Sequence, residues 1–365
     1  MIRIAVFSNM YPSKAHPTFG IFVKNQVDLL RTADVQVDVI AIDDPRKGKG
    51  RTLKKYMLWF FRSLFYMMKN RKKLTLTHAH YAFPTGLLSL IGKKFFGIPY
   101  VVTVHGGDID KMAAKSARIA KLTGQVLMGA ETVIVVGEKL KEDVTGRFGV
   151  PEARVEVMSM GVDSSVFKPT PKVEARTMLN VDQDKKVILF VGNVIKAKGV
   201  LELVDAFQVV KETHPNSSLH IIGSLRDDSF YNEVQVLIQS QQGSDDIHFM
   251  NQLSQTDLAQ WMAAADVLAL PSHHEGFGLV ALEAMAAGAK VVGTDVGGLS
   301  YLLSGGAGIL VQPKDPMLLA EGLQEALNPD STAIDEAVVR ERVTAHSFET
   351  VLQNLLSIYR NAGKG

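Results

Sequence analysis

Two glutamates eight positions apart mark the stretch of this sequence that is best suited to hold a ligand. The stretch reads Pro271-Ser-His-His-Glu275-Gly-Phe-Gly-Leu-Val-Ala-Leu-Glu283-Ala-Met-Ala-Ala-Gly. Gly276 and Gly278 permit close backbone approach, and amides at the start of a helix are left without partners, so an anion or a sugar hydroxyl can accept from them. Those amides belong to Phe277, Gly278, Leu279 and Val280. The carboxylates are far enough apart to hold two different parts of one ligand.

This stretch lies within a chain in which short β-rich runs alternate with segments long enough for helices, a pattern that predicts parallel sheets. The runs are 2–7, 35–42, 74–80, 100–104 and 132–136, then 187–191, 219–222, 247–250, 267–270, 290–292 and 308–311. The proline-marked stretch 166–172 separates the two sets. We therefore predict an α/β fold with two doubly wound domains, 1–166 plus a C-terminal helix at about 346–365, and 167–345. Doubly wound sheets bind ligands beyond the carboxyl ends of their strands, so we expect a substrate cleft between the domains.

Composition narrows the class of protein. The chain has 365 residues, of which 46% are hydrophobic and 21% charged, which is typical of globular proteins with more than one domain. The absence of cysteine excludes disulfide scaffolds, thiolate metal sites and cysteine nucleophiles. The apolar run at the amino end is too short for a signal peptide. No later apolar run is as long as a membrane-spanning helix requires. We expect a cytoplasmic protein, either soluble or peripheral on the inner face of the membrane.

Several common α/β functions lose support because their motifs are missing. No G-x-G-x-x-G follows a strand, and G-x-x-x-x-G-K-[ST], G-x-S-x-G and H-E-x-x-H do not occur. These absences disfavour a dinucleotide-dependent dehydrogenase, a P-loop NTPase, an α/β-hydrolase and a zinc protease. The Asp-x-Asp triplets at 108–110 and 182–184 match chance frequency, so we predict no metal site.

Together with five other motifs, the glutamate pair resembles the donor site of the retaining glycosyltransferases of family 4. The resemblance covers nearly the whole chain, and the motifs occur in the family's order. They are the loop ending at Gly20, His105-Gly-Gly-Asp108, Gly161-Val-Asp163 with Phe167, Val191-Gly-Asn-Val-Ile-Lys-Ala-Lys198-Gly199 and Val296-Gly-Gly298. The resemblance implies a GT-B fold, in which two Rossmann-like domains face each other across a cleft.

The resemblance also implies a role for each motif. Glu283 would hold the ribose hydroxyls of a nucleotide-sugar donor, and Glu275 with the amides of 277–280 would hold the transferred sugar and the phosphates. Lys198 and the Gly20 amide would contact the diphosphate. A cation and a cluster of amides stabilise the charge on a departing diphosphate without a divalent ion, so we expect neither a metal nor a cofactor.

One residue departs from the family pattern at the diphosphate. The family usually has Arg at the position of Asn193, and that Arg binds the diphosphate together with the Lys of the same motif. Asn keeps the hydrogen bonding but loses the charge. Either Lys196 or Lys198 supplies the missing charge, or the site holds its donor more weakly. We include Asn193 among the donor-binding residues.

Histidines at predicted strand ends form a second group of candidates. His105 follows the run 100–104 in a Gly-rich loop, and by resemblance it reaches the transferred sugar, where it can bond a hydroxyl or orient the acceptor. Asp108, in the same loop, is a candidate for contact with the sugar or the acceptor. His78 and His80 alternate on a strand, and we expect a packed or hydrogen-bonded pair there rather than metal ligands.

The segment 46–73 has 11 basic and no acidic residues, and its apolar residues recur at helical spacing. The apolar residues are Leu53, Met57, Phe60, Phe61, Leu64, Phe65 and Met68, flanked by Trp59 and Tyr66. Residues 1–167 carry a net charge of +11 and residues 168–365 a net charge of −9. We interpret the segment as a helix that rests on an anionic membrane surface. A core-packed helix with solvated lysines is the other interpretation, and nucleic acid is disfavoured because no nucleic-acid motif accompanies the charge.

These observations predict an enzyme that transfers a sugar from a nucleotide-diphosphate donor to a hydroxyl acceptor with retention at the anomeric carbon. Retention is implied by the resemblance, as is a lipid-linked or cell-envelope glycan as the acceptor, in polysaccharide biosynthesis. Two alternatives remain open on the same fold: a sugar-nucleotide 2-epimerase, and a nucleotide-sugar-binding subunit without turnover. Recognition of the nucleotide base, the sugar and the acceptor depends on the shapes of the loops around the site. These motifs do not specify those shapes.

Overall fold

A computed structural model describes residues 2–46, 48–225, 228–241 and 244–363, without the side chains of Lys49 and Asp228. The chain divides into unit 1, Met1–Met160 with Phe348–Gly365, and unit 2, Gly161–Ser347. The sequence predicted the first division after residue 166 and a C-terminal helix from about residue 346. Lys47 of the basic segment and residues 364–365 of that helix lie outside the described residues.

Unit 1 begins as a regular alternation of strands and helices. Its strands are β1 (Arg3–Ser8), β2 (Gln36–Ala41), β3 (Leu76–His80), β4 (Tyr100–Val104), β5 (Thr132–Val135) and β6 (Val155–Val157). Its helices up to Met160 are α1 (Ile21–Thr32), α2 (Lys49–Asn70), α3 (Thr85–Phe96), α4 (Ala117–Gly129) and α5 (Glu138–Phe148). The strand β6 was not predicted.

The described strands of unit 1 form one parallel sheet in the order β2-β1-β3-β4-β5-β6. Every residue of β3 and β4 is buried, because helices cover both faces of the sheet. The chain builds the sheet outward from β1 first to one side and then, from β3, to the other. The switch point at which ligands bind in such sheets therefore lies between the carboxyl ends of β1 and β3.

Unit 2 repeats the alternation. Its strands are β7 (Lys186–Val191), β8 (Ser217–Ile222), β9 (Ile247–Met250), β10 (Val267–Leu270), β11 (Lys290–Thr294) and β12 (Ile309–Val311). Its helices are α6 (Lys172–Leu179), α7 (Val200–Thr213), α8 (Asp228–Gln239), α9 (Gln255–Ala264), α10 (Leu279–Ala286), α11 (Gly298–Leu303), α12 (Pro316–Leu327) and α13 (Glu336–Ala345).

The described strands of unit 2 also form one parallel sheet, in the order β12-β11-β10-β7-β8-β9. Its core is a continuous cluster of buried side chains, among which Phe190, Phe207 and Leu323 are fully buried. The strands β7 and β10 are neighbours although two strands separate them in the chain, so the switch point lies between their carboxyl ends. The prediction of two doubly wound α/β domains is confirmed.

The chain returns to unit 1 in its last helix, α14 (Phe348–Ala362). Val351, Leu355 and Tyr359 lie on its buried side and join the core cluster around β1 and α1. The hydroxyl of Tyr359 lies 2.6 Å from His78 Nδ1 on β3. Residues from the far end of the sequence thus complete the core of unit 1.

The basic segment forms the helix α2, which has apolar residues on two sides. On the inner side, Trp59 is buried and its indole N–H donates to the carbonyl of Ile40 at 2.9 Å, so the expectation that Trp59 flanks the membrane side was wrong. Phe60 and Leu64 also pack partly against this core. The outer side leaves a set of large apolar side chains exposed, which we call the apolar face of α2: Leu53, Met57, Leu58, Phe61, Phe65 and Met68. None of the helices in the described ranges combines the length and hydropathy required to span a bilayer.

Candidate functional site

The loops that follow β7 and β10 meet at the switch point of unit 2, because these two parallel strands are neighbours. The amide of His273, in the second loop, donates to the carbonyl of Ala197, in the first, at 3.0 Å. Lys198 and Glu275, which are 77 positions apart in the sequence, are therefore brought to the same edge of the sheet.

An ion pair between Lys198 and Glu275 lies at the centre of this site. The ammonium of Lys198 donates to Glu275 Oε2 at 2.5 Å, and both side chains are partly accessible. The hydroxyl of Ser272 also donates to Glu275 Oε2, at 3.4 Å. The pair fixes a cation and a carboxylate next to each other while leaving both within reach of a ligand.

The Val296-Gly-Gly298 motif supports the Glu275 loop from behind. The amide of Gly298 donates to the carbonyl of Glu275 at 3.3 Å. Gly297 has a φ of 52°, and a Cβ at this position would lie 1.9 Å from the same carbonyl oxygen. Only glycine permits so close an approach, so the spacing of the two loops depends on this residue.

The helix α10 begins at the point where the sequence predicted ligand-binding amides. Gly278 caps the helix in the left-handed conformation, and Leu279 and Val280 are its first residues. Amides in a first turn have no acceptor within their own helix, and the helix dipole favours an anion there. Phe277 is buried, with its ring 5.0 Å from that of His346. Gly276 is exposed.

Glu283 lies on the second turn of α10 and is buried, with 8% of its surface exposed. Burial raises the pKa of its carboxyl group to about 8, from 4.5. No described residue forms a hydrogen bond or an ion pair with this carboxyl group. A buried and unpaired acid at a switch point is typical of a ligand-binding group rather than a structural one.

We expect Glu283→Gln to stabilise the free protein at alkaline pH. The folded form of the parent retains a proton that the unfolded chain releases above pH 4.5, so its free energy of unfolding falls as pH rises from about 4.5 to about 8. Gln cannot ionise and lacks this dependence. Thermal unfolding should give equal Tm values at pH 5 and a higher Tm for the variant at pH 8.5.

The exposed Glu341→Gln, also in unit 2, is the control for loss of an acidic group and should leave the pH dependence of Tm unchanged. Identical pH profiles for the parent and Glu283→Gln would contradict the raised pKa of Glu283.

Asn193 lies just after β7, two residues beyond its last strand residue, in the loop that carries both candidate lysines. Its carbonyl accepts the amide of Ile195 at 3.0 Å. Lys196 is exposed, whereas Lys198 is held by Glu275. Of the two lysines, Lys198 is the one whose charge is already oriented toward the predicted donor residues.

The switch point of unit 1 carries the remaining candidates. Gly20 caps the N-terminus of α1, and His105 follows β4 directly. The ring of His105 lies 5.0 Å from that of Phe22 and 4.6 Å from that of Tyr81. His105 Nε2 lies 3.2 Å from His80 Nδ1, so one hydrogen serves both nitrogens, and His105 Nδ1 forms no hydrogen bond with any described residue.

His78 and His80 are buried members of the sheet. His78 bonds Tyr359 through Nδ1 at 2.6 Å and Thr103 through Nε2 at 2.7 Å. The two rings stack 4.7 Å apart. Burial lowers the pKa of His78 to about 3, so it is neutral. The prediction of a packed, hydrogen-bonded pair is confirmed.

Asp108 is buried and connects two loops of unit 1. Its Oδ2 accepts the amide of Ala82 at 2.7 Å and its Oδ1 accepts the amide of His105 at 3.2 Å. Burial raises the pKa of Asp108 to about 6, although the backbone hydrogen bonds act in the opposite direction. The carboxyl group therefore positions His105 and is largely ionised at neutral pH.

The predicted residues thus form two groups, one in each unit. The structure adds residues that the motifs did not reveal: Ser272 beside Glu275, His80 beside His105, and Asn9 and Tyr81 at the switch point of unit 1. Asn9 follows β1 and Tyr81 follows β3 directly. Ligands bind at the carboxyl ends of parallel strands, so the position of Asn9 and Tyr81 just after predicted strands was the sequence signal that would have indicated them.

Two family models match the chain, one in each half. Residues 20–166 match the model described as Glycosyltransferase Family 4, and residues 172–337 match the model described as Glycosyl transferases group 1.

Individual proteins are similar over different shares of the chain. The D-inositol 3-phosphate glycosyltransferase of Streptosporangium roseum is 33% identical over 257 residues, which are 66% of this chain and 58% of that protein. The alpha-maltose-1-phosphate synthase of Mycolicibacterium smegmatis is 27% identical, over 98% of this chain and 99% of that protein. Among solved structures, a sucrose-phosphate synthase from Thermosynechococcus elongatus matches with a TM-score of 0.79 and 25% identity, covering 99% of this chain and 98% of that one.

Proposed function

Since this chain belongs to the family 4 glycosyltransferases and has the two Rossmann-like domains of the GT-B fold, we propose that it moves a sugar from a nucleotide-diphosphate donor to a hydroxyl acceptor with retention. The observation that carries the proposal is the Lys198–Glu275 ion pair at the switch point of unit 2. Lys198 and the first amides of α10 receive the diphosphate. Glu275 holds the sugar, and Glu283 accepts the ribose hydroxyls.

The reaction needs stabilisation of a leaving group more than it needs a nucleophile. The bond between the anomeric carbon and the diphosphate oxygen breaks, and a bond to the acceptor oxygen forms on the same face. The proton of the acceptor hydroxyl passes to the departing phosphate oxygen. The charge that develops on the diphosphate is stabilised by the ammonium of Lys198 and by backbone amides, which supports transfer without a metal or cofactor. His105 bonds a substrate hydroxyl through Nδ1.

Binding and turnover together test this proposal. A thermal-shift panel of UDP-, GDP- and ADP-sugars identifies the donor, because a ligand at 100 times its Kd stabilises the protein by about 2.7 kcal/mol. We expect one base to be bound, binding to be lost in Glu283→Ala, and a glycoside of retained configuration to be formed. Free nucleotide without glycoside would indicate the epimerase. Binding without any turnover would indicate the non-catalytic subunit.

We further propose that α2 docks the protein on the cytoplasmic face of an anionic membrane that carries a lipid-linked glycan acceptor. The apolar face of α2 exposes six large side chains. Exposed cations lie beside it at Lys54, Arg62 and Lys69. Lys55 is different, because it donates to the carbonyls of Asp44 and Arg46. Large apolar side chains bordered by cations fit the boundary between headgroups and acyl chains.

We expect sedimentation with liposomes to require anionic lipid and to fall as salt rises. Lys54→Ser, Arg62→Ser and Lys69→Ser combined should weaken binding about 100-fold, because each cation near the surface contributes about 1 kcal/mol. Phe61→Ser with Phe65→Ser should also weaken it, through the loss of apolar insertion.

Val173→Ser with Val236→Ser is the matched control, because both valines are exposed apolar residues of unit 2. This pair should bind liposomes like the parent. Equal binding of the parent to neutral vesicles, or no binding to either kind, would overturn the membrane proposal.

A further inference from the structure

A cavity of about 430 Å³ opens at the switch point of unit 1, among the carboxyl ends of β1, β3 and β4. Its volume is within the range of about 300–1,000 Å³ that is usual for small-molecule sites. It is lined by the loops after these strands and by one residue of α2, Tyr56. Gly107 and Asp108 of the His105-Gly-Gly-Asp108 motif lie among its lining residues, whereas none of the described donor-site residues of unit 2 does.

The polar groups of the cavity present oxygen atoms. Asp108 lines it with a carboxylate that accepts two backbone amides and has further lone pairs. Asn9 lines it with a buried Oδ1 that accepts no hydrogen bond from any residue that the structure describes. A buried acceptor left unpaired costs free energy, so an occupant that donates hydrogen bonds is favoured. None of the described residues that line the cavity is Lys, Arg or His.

The walls of the cavity are aromatic and apolar. Tyr56, Tyr81 and Phe83 contribute rings, and Met112 contributes a flexible thioether. The hydroxyl of Tyr81 already donates to Met10 Sδ at 3.4 Å, so this residue offers the cavity its ring. An aromatic face is electron-rich and attracts the polarised C–H groups on the flat side of a sugar ring.

We propose that this cavity selects an uncharged, hydroxyl-bearing sugar ring as the acceptor group and rejects a phosphorylated one. The inference rests on the proposed function, which requires an acceptor hydroxyl. Hydroxyls satisfy Asp108 and Asn9, whereas a phosphate would face a carboxylate with no cation beside it. The acceptor group therefore differs from the D-inositol 3-phosphate in the name of the relative from Streptosporangium roseum.

The position of Tyr56 connects the cavity to the proposed membrane surface. Tyr56 lines the cavity, and the next two residues of α2, Met57 and Leu58, belong to its apolar face. A sugar ring in the cavity can therefore remain attached to a lipid whose chains stay in the bilayer. This placement favours a glycolipid whose terminal ring is neutral.

Initial rates with soluble acceptors test the selection. With saturating donor, alkyl glycosides with a neutral ring should be used at least 100-fold better in kcat/KM than the same glycosides phosphorylated on the ring, or than D-inositol 3-phosphate. Phe83→Leu should raise the acceptor KM about tenfold with an unchanged nucleotide Kd. Asp108→Asn should reduce the ratio of kcat/KM for neutral acceptors to kcat/KM for phosphorylated acceptors. A merely structural role of Asp108 would not change this ratio. Phe95→Leu, at an exposed Phe outside the cavity, should change nothing.

Several results would overturn the inference. One is an equal kcat/KM for phosphorylated and neutral rings. The others are a tenfold higher kcat/KM for an amino-sugar glycoside than for a neutral one, and an acceptor KM in Phe83→Leu that equals that of the parent. Saturation-transfer NMR with a methyl glycoside and no nucleotide tests the cavity proposal independently of the proposed glycosyltransferase function. Binding that is lost in Phe83→Leu supports the cavity even if no donor is found, and absence of binding in a protein that does bind a nucleotide-sugar refutes the cavity alone.

Discussion

Replacement of Lys198 by Met will lower kcat for sugar transfer by about 10²–10³-fold, the usual effect of removing one group that stabilises developing negative charge. Glu275 holds the ammonium of Lys198 at 2.5 Å, so in the proposed reaction the cation is positioned before the diphosphate departs. Steady-state kinetics and calorimetry with free nucleotide should show a larger loss in kcat than in nucleotide affinity. Lys198→Arg keeps the charge and should recover part of the rate.

Lys196→Met is the matched control for Lys198→Met, because Lys196 lies in the same short turn, is exposed and has the same side chain. It should lower kcat less than twofold. A larger loss in Lys196→Met than in Lys198→Met would mean that Lys196 replaces the Arg that is absent at Asn193, and it would remove Lys198 from the leaving-group site.

Gly297→Ala will destabilise unit 2 and abolish nucleotide binding. The new Cβ would lie 1.9 Å from the carbonyl oxygen of Glu275, so the Glu275 loop must move. Overpacking together with backbone strain costs about 3 kcal/mol or more, which lowers Tm by about 6–12 °C in a domain of this size. Differential scanning fluorimetry with and without nucleotide measures both effects.

Gly305→Ala is the control that separates the cost of backbone strain from the cost of a steric clash with a neighbouring loop. Gly305 has a φ of 69°, but a Cβ there would meet no atom of the described residues within 4 Å. This variant carries only the cost of a left-handed alanine, about 1 kcal/mol, and should bind nucleotide like the parent. Similar losses of Tm and binding in both variants would show that contact between Gly297 and the Glu275 carbonyl is unimportant.

The strands were predictable because most of them are runs of apolar and β-branched residues that are buried on both faces. The runs 100–104 and 267–270 coincide with β4 and β10, in which every residue is buried. The strand β6 was missed because it has three residues, of which Glu156 and Val157 are exposed at the edge of the sheet. Too few apolar positions were available to give a pattern.

The partners of the site residues could not be predicted in the same way. The sequence indicated that Glu275 and Lys198 contact one ligand, but their direct ion pair depends on β10 lying beside β7, and strand order is not encoded locally. The cavity beside Asp108 depends likewise on three loops meeting. These features arise from tertiary neighbours that are distant in the chain.

The helix α2 shows a limit of periodicity. Apolar residues at helical spacing predicted one apolar stripe with Trp59 at its margin. The helix instead has apolar residues on two sides, with Trp59 and Met67 in the core and Phe61 and Phe65 exposed. Spacing places residues around an axis, but it does not say which side faces the sheet.

The return of the chain into unit 1 has a consequence for synthesis. Residues 161–347 contain all of unit 2, whereas unit 1 lacks the buried side of α14 until residues after Ser347 are made. Domains generally fold as units, from the amino end first, as the chain leaves the ribosome. In this protein the order is reversed at the final step: the second unit is complete while the first still exposes the apolar groove that Val351, Leu355 and Tyr359 will fill. A released chain truncated after Ser347 would therefore have a folded unit 2 and an incomplete unit 1, and limited proteolysis of this truncated chain should cut within residues 1–160.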